Sequence, residues 1–280
     1  MNICAGVVFY YPSIHFCDYI SNYIDQINFI IVYDNSPLNL HVEHKRCLDE
    51  RFGKKVIWID TDGSNHGISV AWNTIFNEAI SRGCDFCITF DQDSYLESSM
   101  VKLMRMGIEN NSEQAITAMY APNFNKIDAH SAELVEVKEA ITSGAFVNLN
   151  YVKINGGYNE AYYVYVCDYE FCWKARSKGW KIFVNPAVQL CHQMDDGSTS
   201  QKSVKSKYAC YYGIRNNLRL TKDWRKTFPE EAKIRRKKGL NLWLRIALKP
   251  KVGGVKKLVR IVYVLRAFGD YLIGKQGPIS

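Results

Sequence analysis

Asp91-Gln92-Asp93 sets two carboxylates one residue apart, directly after the apolar run of residues 85–90. Oxygens so spaced can share a hard divalent cation, and Mg²⁺ or Mn²⁺ needs few protein ligands because it keeps waters and bridges to phosphate oxygens. A D-x-D triplet also arises by chance, and a solvated turn is the plainer alternative. The position favours the cation, because two negative charges at the mouth of a buried strand otherwise lack compensation. Asp34, in Asp34-Asn35-Ser36-Pro37, and the polar turn of residues 62–67 likewise each follow an apolar run.

Those runs are what must hold the carboxylates in place. Residues 3–10, 28–33, 55–60 and 85–90 are short, nearly continuous apolar stretches, each ended by turn residues, and they read as buried strands. Between them lie helical signals: a segment with Phe16, Tyr19, Ile20 and Tyr23, and another with Ala71/Trp72, Ile75/Phe76 and Ala79/Ile80 stopped by Gly83. Such alternation predicts an α/β fold with a mainly parallel central sheet covered by helices on both faces. Ligands of such sheets bind beyond the carboxyl ends of the strands. Asp34, the 62–67 turn, Asp91 and Asp93 all fall there. Further on, residues 141–149 and 180–184 read as strands, 156–160 as a turn, and 168–178 as a helix closed by Gly179.

The 280 residues are 47% hydrophobic and 13% aromatic, which supplies a core and excludes a disordered chain. No leader pattern follows Met1, and nine cysteines form no paired framework, so free thiols in a reducing cytosol are expected. Cys84-Asp85-Phe86-Cys87 is a C-x-x-C without the second pair that zinc requires; it reads as part of a strand. Of the net charge of +8, residues 222–266 hold 15 basic and 3 acidic residues, which leaves the remainder net acidic. A basic tail on an acidic body points to an anionic docking surface. In residues 255–268, Val255, Leu258, Val259, Val262 and Leu265 share one helix face, and Lys256, Lys257 and Arg260 the other. The uncharged stretches are far shorter than the ~20 residues a membrane span needs. Such a helix lies either in a bilayer interface or packed on the domain with its cations in water; the charge of the whole tail favours the membrane.

Phe90-Asp91-Gln92-Asp93-Ser94 resembles the D-Q-D-S signature of family 2 glycosyltransferases, in particular the bacterial rhamnosyltransferase group with the GT-A (Rossmann-like) fold. Other segments fall in that group's order. They are Val7-Val8-Phe9-Tyr10-Tyr11-Pro12, Val32-Tyr33-Asp34-Asn35-Ser36, Asn65-His66-Gly67-Ile68, Ser143-Gly144-Ala145-Phe146, Gly156-Gly157-Tyr158-Asn159-Glu160 and Tyr212-Gly213-Ile214-Arg215-Asn216-Asn217. The resemblance implies a GT-A domain over 1–220, with a nucleotide-binding half (about 1–95) and an acceptor half (about 96–220), and a basic amphipathic helical tail over 221–280. It further implies that Asp34 accepts a bond from the nucleotide base, with Tyr10, Asn65 and Gly67 beside the nucleoside. Asp91 would touch the ribose or metal-bound water, Asp93 would bind the metal, and His192 would complete the metal or diphosphate site. Asp168 and Glu170 are the implied general-base candidates, Asp168 preferred, and Lys174 stands where the group has Arg. Arg215 would hold the diphosphate.

The implied reaction is an inverting transfer from a nucleotide sugar, dTDP-rhamnose or a UDP-sugar, with Mn²⁺ or Mg²⁺ as cofactor. The acceptor would be a lipid-linked glycan of a capsule, O-antigen or wall polysaccharide, met at the cytoplasmic face of the membrane. A sugar nucleotidyltransferase would need a Gly-rich basic phosphate loop after the first strand, where Tyr10-Tyr11-Pro12-Ser13 offers none. A nucleic-acid-binding protein would leave the placed carboxylates without a task, so no nucleic-acid partner is expected. An inactive transferase-like scaffold stays open at this level.

Overall fold

The computed structural model describes residues 1–124, 133–192, 199–252 and 255–279. Strands β1 (Ile3–Phe9), β2 (Ile30–Asp34), β3 (Val56–Ile59) and β4 (Phe86–Asp91) alternate with helices α1 (Phe16–Ser21), α2 (Leu38–Phe52) and α3 (Ile68–Ser81). A two-residue β5 (Ser94–Tyr95), helix α4 (Ser98–Glu109), β6 (Thr117–Pro122), β7 (Val135–Glu136), β8 (Ala145–Asn148) and α5 (Leu149–Asn155) follow. Then come α6 (Cys167–Ser177), β9 (Lys181–Asn185), β10 (Cys191–His192), α7 (Thr199–Asp223), α8 (Pro229–Leu248), β11 (Lys251–Val252), β12 (Val255–Lys256) and α9 (Lys257–Leu272).

The chain divides into two units: residues 1–158 with 171–195, and residues 159–170 with 196–280. In the first, one sheet has the order β3-β2-β1-β4-β8-β6-β9-β7. β3, β2, β1 and β4 are mutually parallel, β8 runs against both β4 and β6, and β9 is parallel to β6. The α/β expectation therefore holds, with four mutually parallel strands in the amino-terminal half. All seven residues of β1 are buried, as a central strand covered on both faces requires. Gly6 is needed there for space: a Cβ would sit 2.6 Å from Ile75 Cγ2 and 2.9 Å from Trp72 Cζ3 of α3.

The strand expected over 141–149 shortens to β8, because Gly144 turns the chain at φ +71° and its N–H donates to Thr89 O at 2.6 Å. Helix α2 was not anticipated. It buries only His41 and Leu48, too little apolar periodicity to announce a helix.

In the second unit α7, α8 and α9 pack pairwise against one another. The boundary expected at residue 220 falls inside the continuous helix α7, because a rise in basic composition alters the solvent face and not the packing. The grouping of Arg260 with Lys256 and Lys257 on one polar face is corrected, although both lysines are exposed. Arg260 is wholly buried and donates from Nη1 to Val255 O and from Nη2 to Lys249 O. Lys249 is the C-cap of α8, whose end carbonyls lack helical partners, and a guanidinium satisfies them. The nine cysteines are free; of Cys84-Asp85-Phe86-Cys87 only Phe86 and Cys87 fall in β4, and Cys84, just before it, is buried as well.

Candidate active site

Four chain segments meet at the carboxyl ends of β1, β2 and β4 in the first unit. The parallel register sets Phe9 opposite Asp34 and Val8 opposite Asp91, so the turns after these strands are neighbours. Side chains then stitch them together. Tyr10 N–H donates to Gln92 Oε1 at 2.7 Å and Tyr11 N–H to Ser36 Oγ at 2.8 Å. Asn35 joins the third turn, accepting from His66 N–H at 3.0 Å and donating to Gly67 O at 3.4 Å. Asn65 Oδ1 accepts from Gly67 N–H at 2.9 Å, and Gly67, at φ 87°, is the N-cap of α3.

This is the point where strand order reverses around β1 and β4, where open α/β sheets bind ligands. Tyr10 and Tyr11 stand there half-exposed with their rings edge to face at 4.9 Å. Tyr11 holds φ 50°, a conformation costly for a residue with a Cβ and concentrated at functional sites.

Asp34 closes β2 at this mouth. Its side chain is fully buried, Oδ2 lies 2.6 Å from His44 Nδ1, and Oδ1 accepts from Ser36 N–H at 2.7 Å. Burial pushes the carboxyl up, but the bonds from His44 and Ser36 outweigh it and hold the group below its ordinary range. In this arrangement the carboxylate latches the turn through His44 and Ser36. The His41-x-x-His44 pair that surrounds it was missed in the sequence because α2 was missed.

Asp91 and Asp93 flank Gln92 at the end of β4, both half-buried. The backbone of His192 pairs with Ser94 in the β10–β5 ladder, next to Asp93 in the chain; the side chain of His192 lies outside the described part of the structure. Among the described residues no group of three or more His, Cys, Asp or Glu is gathered to hold an ion. Two carboxylates with water and phosphate oxygens completing the shell suit Mg²⁺ or Mn²⁺, so the residues present fit such a cation.

Asp168, Glu170 and Arg215 belong to the second unit. Asp168 is half-buried with Oδ1 accepting from Tyr169 N–H at 3.1 Å, and Glu170 is buried, both in the first turn of α6. The two preceding residues, Tyr165 and Val166, hold φ 63° and 69°, rare for a tyrosine and rarer for a β-branched valine. Asn216 spans this strained stretch, its Nδ2 donating to Val164 O at 2.8 Å and Tyr165 O at 3.1 Å. Arg235 of α8 lies 3.4 Å over the ring of Tyr169. Lys174, later in α6, donates to the carbonyls of Gly156 and Gly157, so it ties the helix to the glycine turn within the first unit.

Arg215, expected to hold a diphosphate, is wholly buried. Its Nη1 donates to Tyr211 Oη at 3.1 Å and Gly277 O at 2.9 Å, its Nε donates to Asn216 Oδ1 at 3.1 Å, and it lies 5.1 Å from the centres of both the Tyr211 and Tyr212 rings. That is a brace of the second unit, closed to a phosphate as it stands.

No protein-family model matches the chain. The dTDP-rhamnosyl transferase RfbF of Shigella flexneri is 22% identical over 236 residues, covering 77% of this chain and 78% of the relative. Among solved structures, the mannosyltransferase PcManGT from Pyrobaculum calidifontis, in complex with GDP-Man and Mn²⁺, superposes with a TM-score of 0.60 at 12% identity, over 98% of this chain and 88% of that one. S. aureus TarS 1-349, in complex with UDP-GlcNAc, gives 0.51 at 11% identity, over 98% and 93%. GalNAc-T7 with UDP, GalNAc and Mn²⁺ gives 0.57 at 10% identity; it covers 78% of this chain, which spans only about half (51%) of that one. The fold is GT-A. The sequence likeness is to a dTDP-rhamnosyl transferase.

Proposed function

We propose that the chain is an inverting glycosyltransferase that uses a nucleotide diphosphate sugar. One observation carries this reading: the turns after β1, β2 and β4 and the Asn65–Gly67 turn are cross-linked into one mouth at the sheet's switch point, with two carboxylates beside an exposed tyrosine pair. Tyr10 offers an aromatic face to the nucleoside, and Asn65 and Gly67 line the same mouth. Asp91 and Asp93, with His192, would hold Mn²⁺ or Mg²⁺, which when bound offsets charge on the leaving diphosphate, an effect worth several kcal/mol. Asp168, with Glu170 as the alternative, takes the proton of the acceptor hydroxyl as its oxygen bonds to the anomeric carbon and the bond to diphosphate breaks. A positioned base of this kind contributes ~10²–10⁴-fold.

The best-supported donor is dTDP-L-rhamnose, on the likeness to a dTDP-rhamnosyl transferase; a UDP-sugar is the alternative. The acceptor is a lipid-linked glycan of a bacterial cell-surface polysaccharide, reached by a peripheral enzyme at the cytoplasmic membrane face. The basic tail supports that placement, and no described helix is long and apolar enough to cross a membrane. The test is release of dTDP or UDP from a donor panel with Mn²⁺, comparing wild type with Asp93→Ala. Release that depends on Asp93 supports the reading. Equal, negligible release by both proteins with every donor overturns it in favour of an inactive scaffold.

A further inference from the structure

Helix α9 buries one arginine on its inner face and leaves a line of large aliphatic side chains in solvent. Arg260, in its first turn, faces inward with Val264 and Ala267, whereas Leu258 (72% exposed), Val262 (54%) and Leu265 (65%) face solvent, with Leu272 and Ile273 exposed at its end. Leu258, Val262, Leu265 and Leu272 lie along one stripe of the helix at steps of four, three and seven residues, with Gly269 leaving a gap between the last two. At 1.5 Å per residue the stripe is about 21 Å long. Arg260 is accounted for by the carbonyls of Lys249 and Val255 within its own unit, but the exposed leucines have no such account there.

The charges around the stripe say what covers it. Lys256 and Lys257 are exposed at its start and Arg266 lies alongside. The only carboxylate of α9, Asp270, is drawn aside. It accepts from Tyr211 Oη and lies within 4 Å of Arg266 Nε and Lys275 Nζ. Nearby in the chain, Lys233, Arg236, Lys237, Lys238, Arg245 and Lys249 of α8 and its C-cap are exposed as well. An apolar stripe bordered by cations, too short to span, is the composition of a helix lying in the plane of an anionic bilayer. A second copy of this chain is a poorer occupant, because it would bring the same cationic border against its own.

We infer that α9 is the bilayer-contacting element, with Leu258, Val262, Leu265 and Leu272 entering the headgroup–acyl boundary and Lys256, Lys257 and Arg266 meeting lipid phosphates. This names the surface behind the membrane part of the proposed function but does not depend on sugar transfer. Flotation of the full chain with vesicles of phosphatidylcholine, alone or mixed with phosphatidylglycerol, tests it without any donor. Wild type should float with the mixed vesicles only, and more weakly in high salt. Leu258→Gln/Leu265→Gln, exposed positions given a good helix former, should keep the wild-type melting temperature and bind about tenfold more weakly per leucine. Lys256→Glu/Lys257→Glu should lose binding at low salt. Three results overturn the inference: no wild-type flotation with the mixed vesicles, undiminished flotation of the leucine variant, or a wild-type dimer that the leucine variant dissociates without either binding lipid. Any of these leaves donor cleavage, measured separately, unaffected.

Discussion

Replacing Asn216 by Ala tests how the start of α6 is held. The side chain is wholly buried and makes three hydrogen bonds: two to the carbonyls of Val164 and Tyr165, and one accepted from Arg215 Nε. At about 0.5–1.5 kcal/mol net per bond, with buried partners left unpaired, the loss is about 2–4 kcal/mol. Urea unfolding followed by tryptophan fluorescence reads it, because Trp243 lies 5.7 Å from the Tyr165 ring within the same unit. The second consequence is catalytic. Tyr165 and Val166 sit in a conformation that costs about 1–3 kcal/mol per residue and persists only while braced. Released, they relax to negative φ and turn the first helical turn, with Asp168 on it. Nucleotide release should then lose kcat by about tenfold or more, within the span a positioned base supplies, while donor KM stays near wild type. Asn216→Asp, which keeps the shape but sets an acceptor against two carbonyls, should be as damaging. A destabilised Asn216→Ala enzyme with unchanged kcat would refute the link between this brace and the base. Unchanged stability would refute the brace itself.

Asp34→Asn should remove an acid-dependent part of stability. The folded carboxyl lies below its unfolded value, so its contribution is present above the ordinary carboxylate range and lost as pH falls through the lower folded value; the variant's denaturation midpoint should therefore be lower at neutral pH and converge with wild type in acid. Gly6→Val should cost more than about 3 kcal/mol, read as a failure of soluble expression or a collapsed melting temperature, because Ile75 and Trp72 already occupy the space. Tyr10→Ala, at a position 47% exposed, should leave stability within about 0.5 kcal/mol and raise donor KM; an unchanged KM would remove Tyr10 from the nucleoside site.

The sequence itself determined the amino-terminal sheet and the place of its mouth. A strand covered on both faces must be apolar throughout, so β1, β2 and β4 announce themselves, and the polar residues that stop them must lie at the sheet's edge. That is why Asp91, Asp93 and the 62–67 turn could be placed at the mouth without coordinates, whereas Tyr10 was named only through the family resemblance. What individual polar side chains do there was decided by tertiary structure, because a carboxylate or guanidinium has the same identity whether it faces a ligand or another part of the chain. Asp34 is taken by His44 from a helix whose polar surface hid it, Arg215 by the tyrosines and carboxyl-terminal residues of its own unit, and Arg260 by the open end of α8. The face of α9 follows the same logic. Periodicity gave the two sides of that helix, but the carbonyls of Lys249 at the end of α8 and of Val255 just before α9 hold the arginine inward.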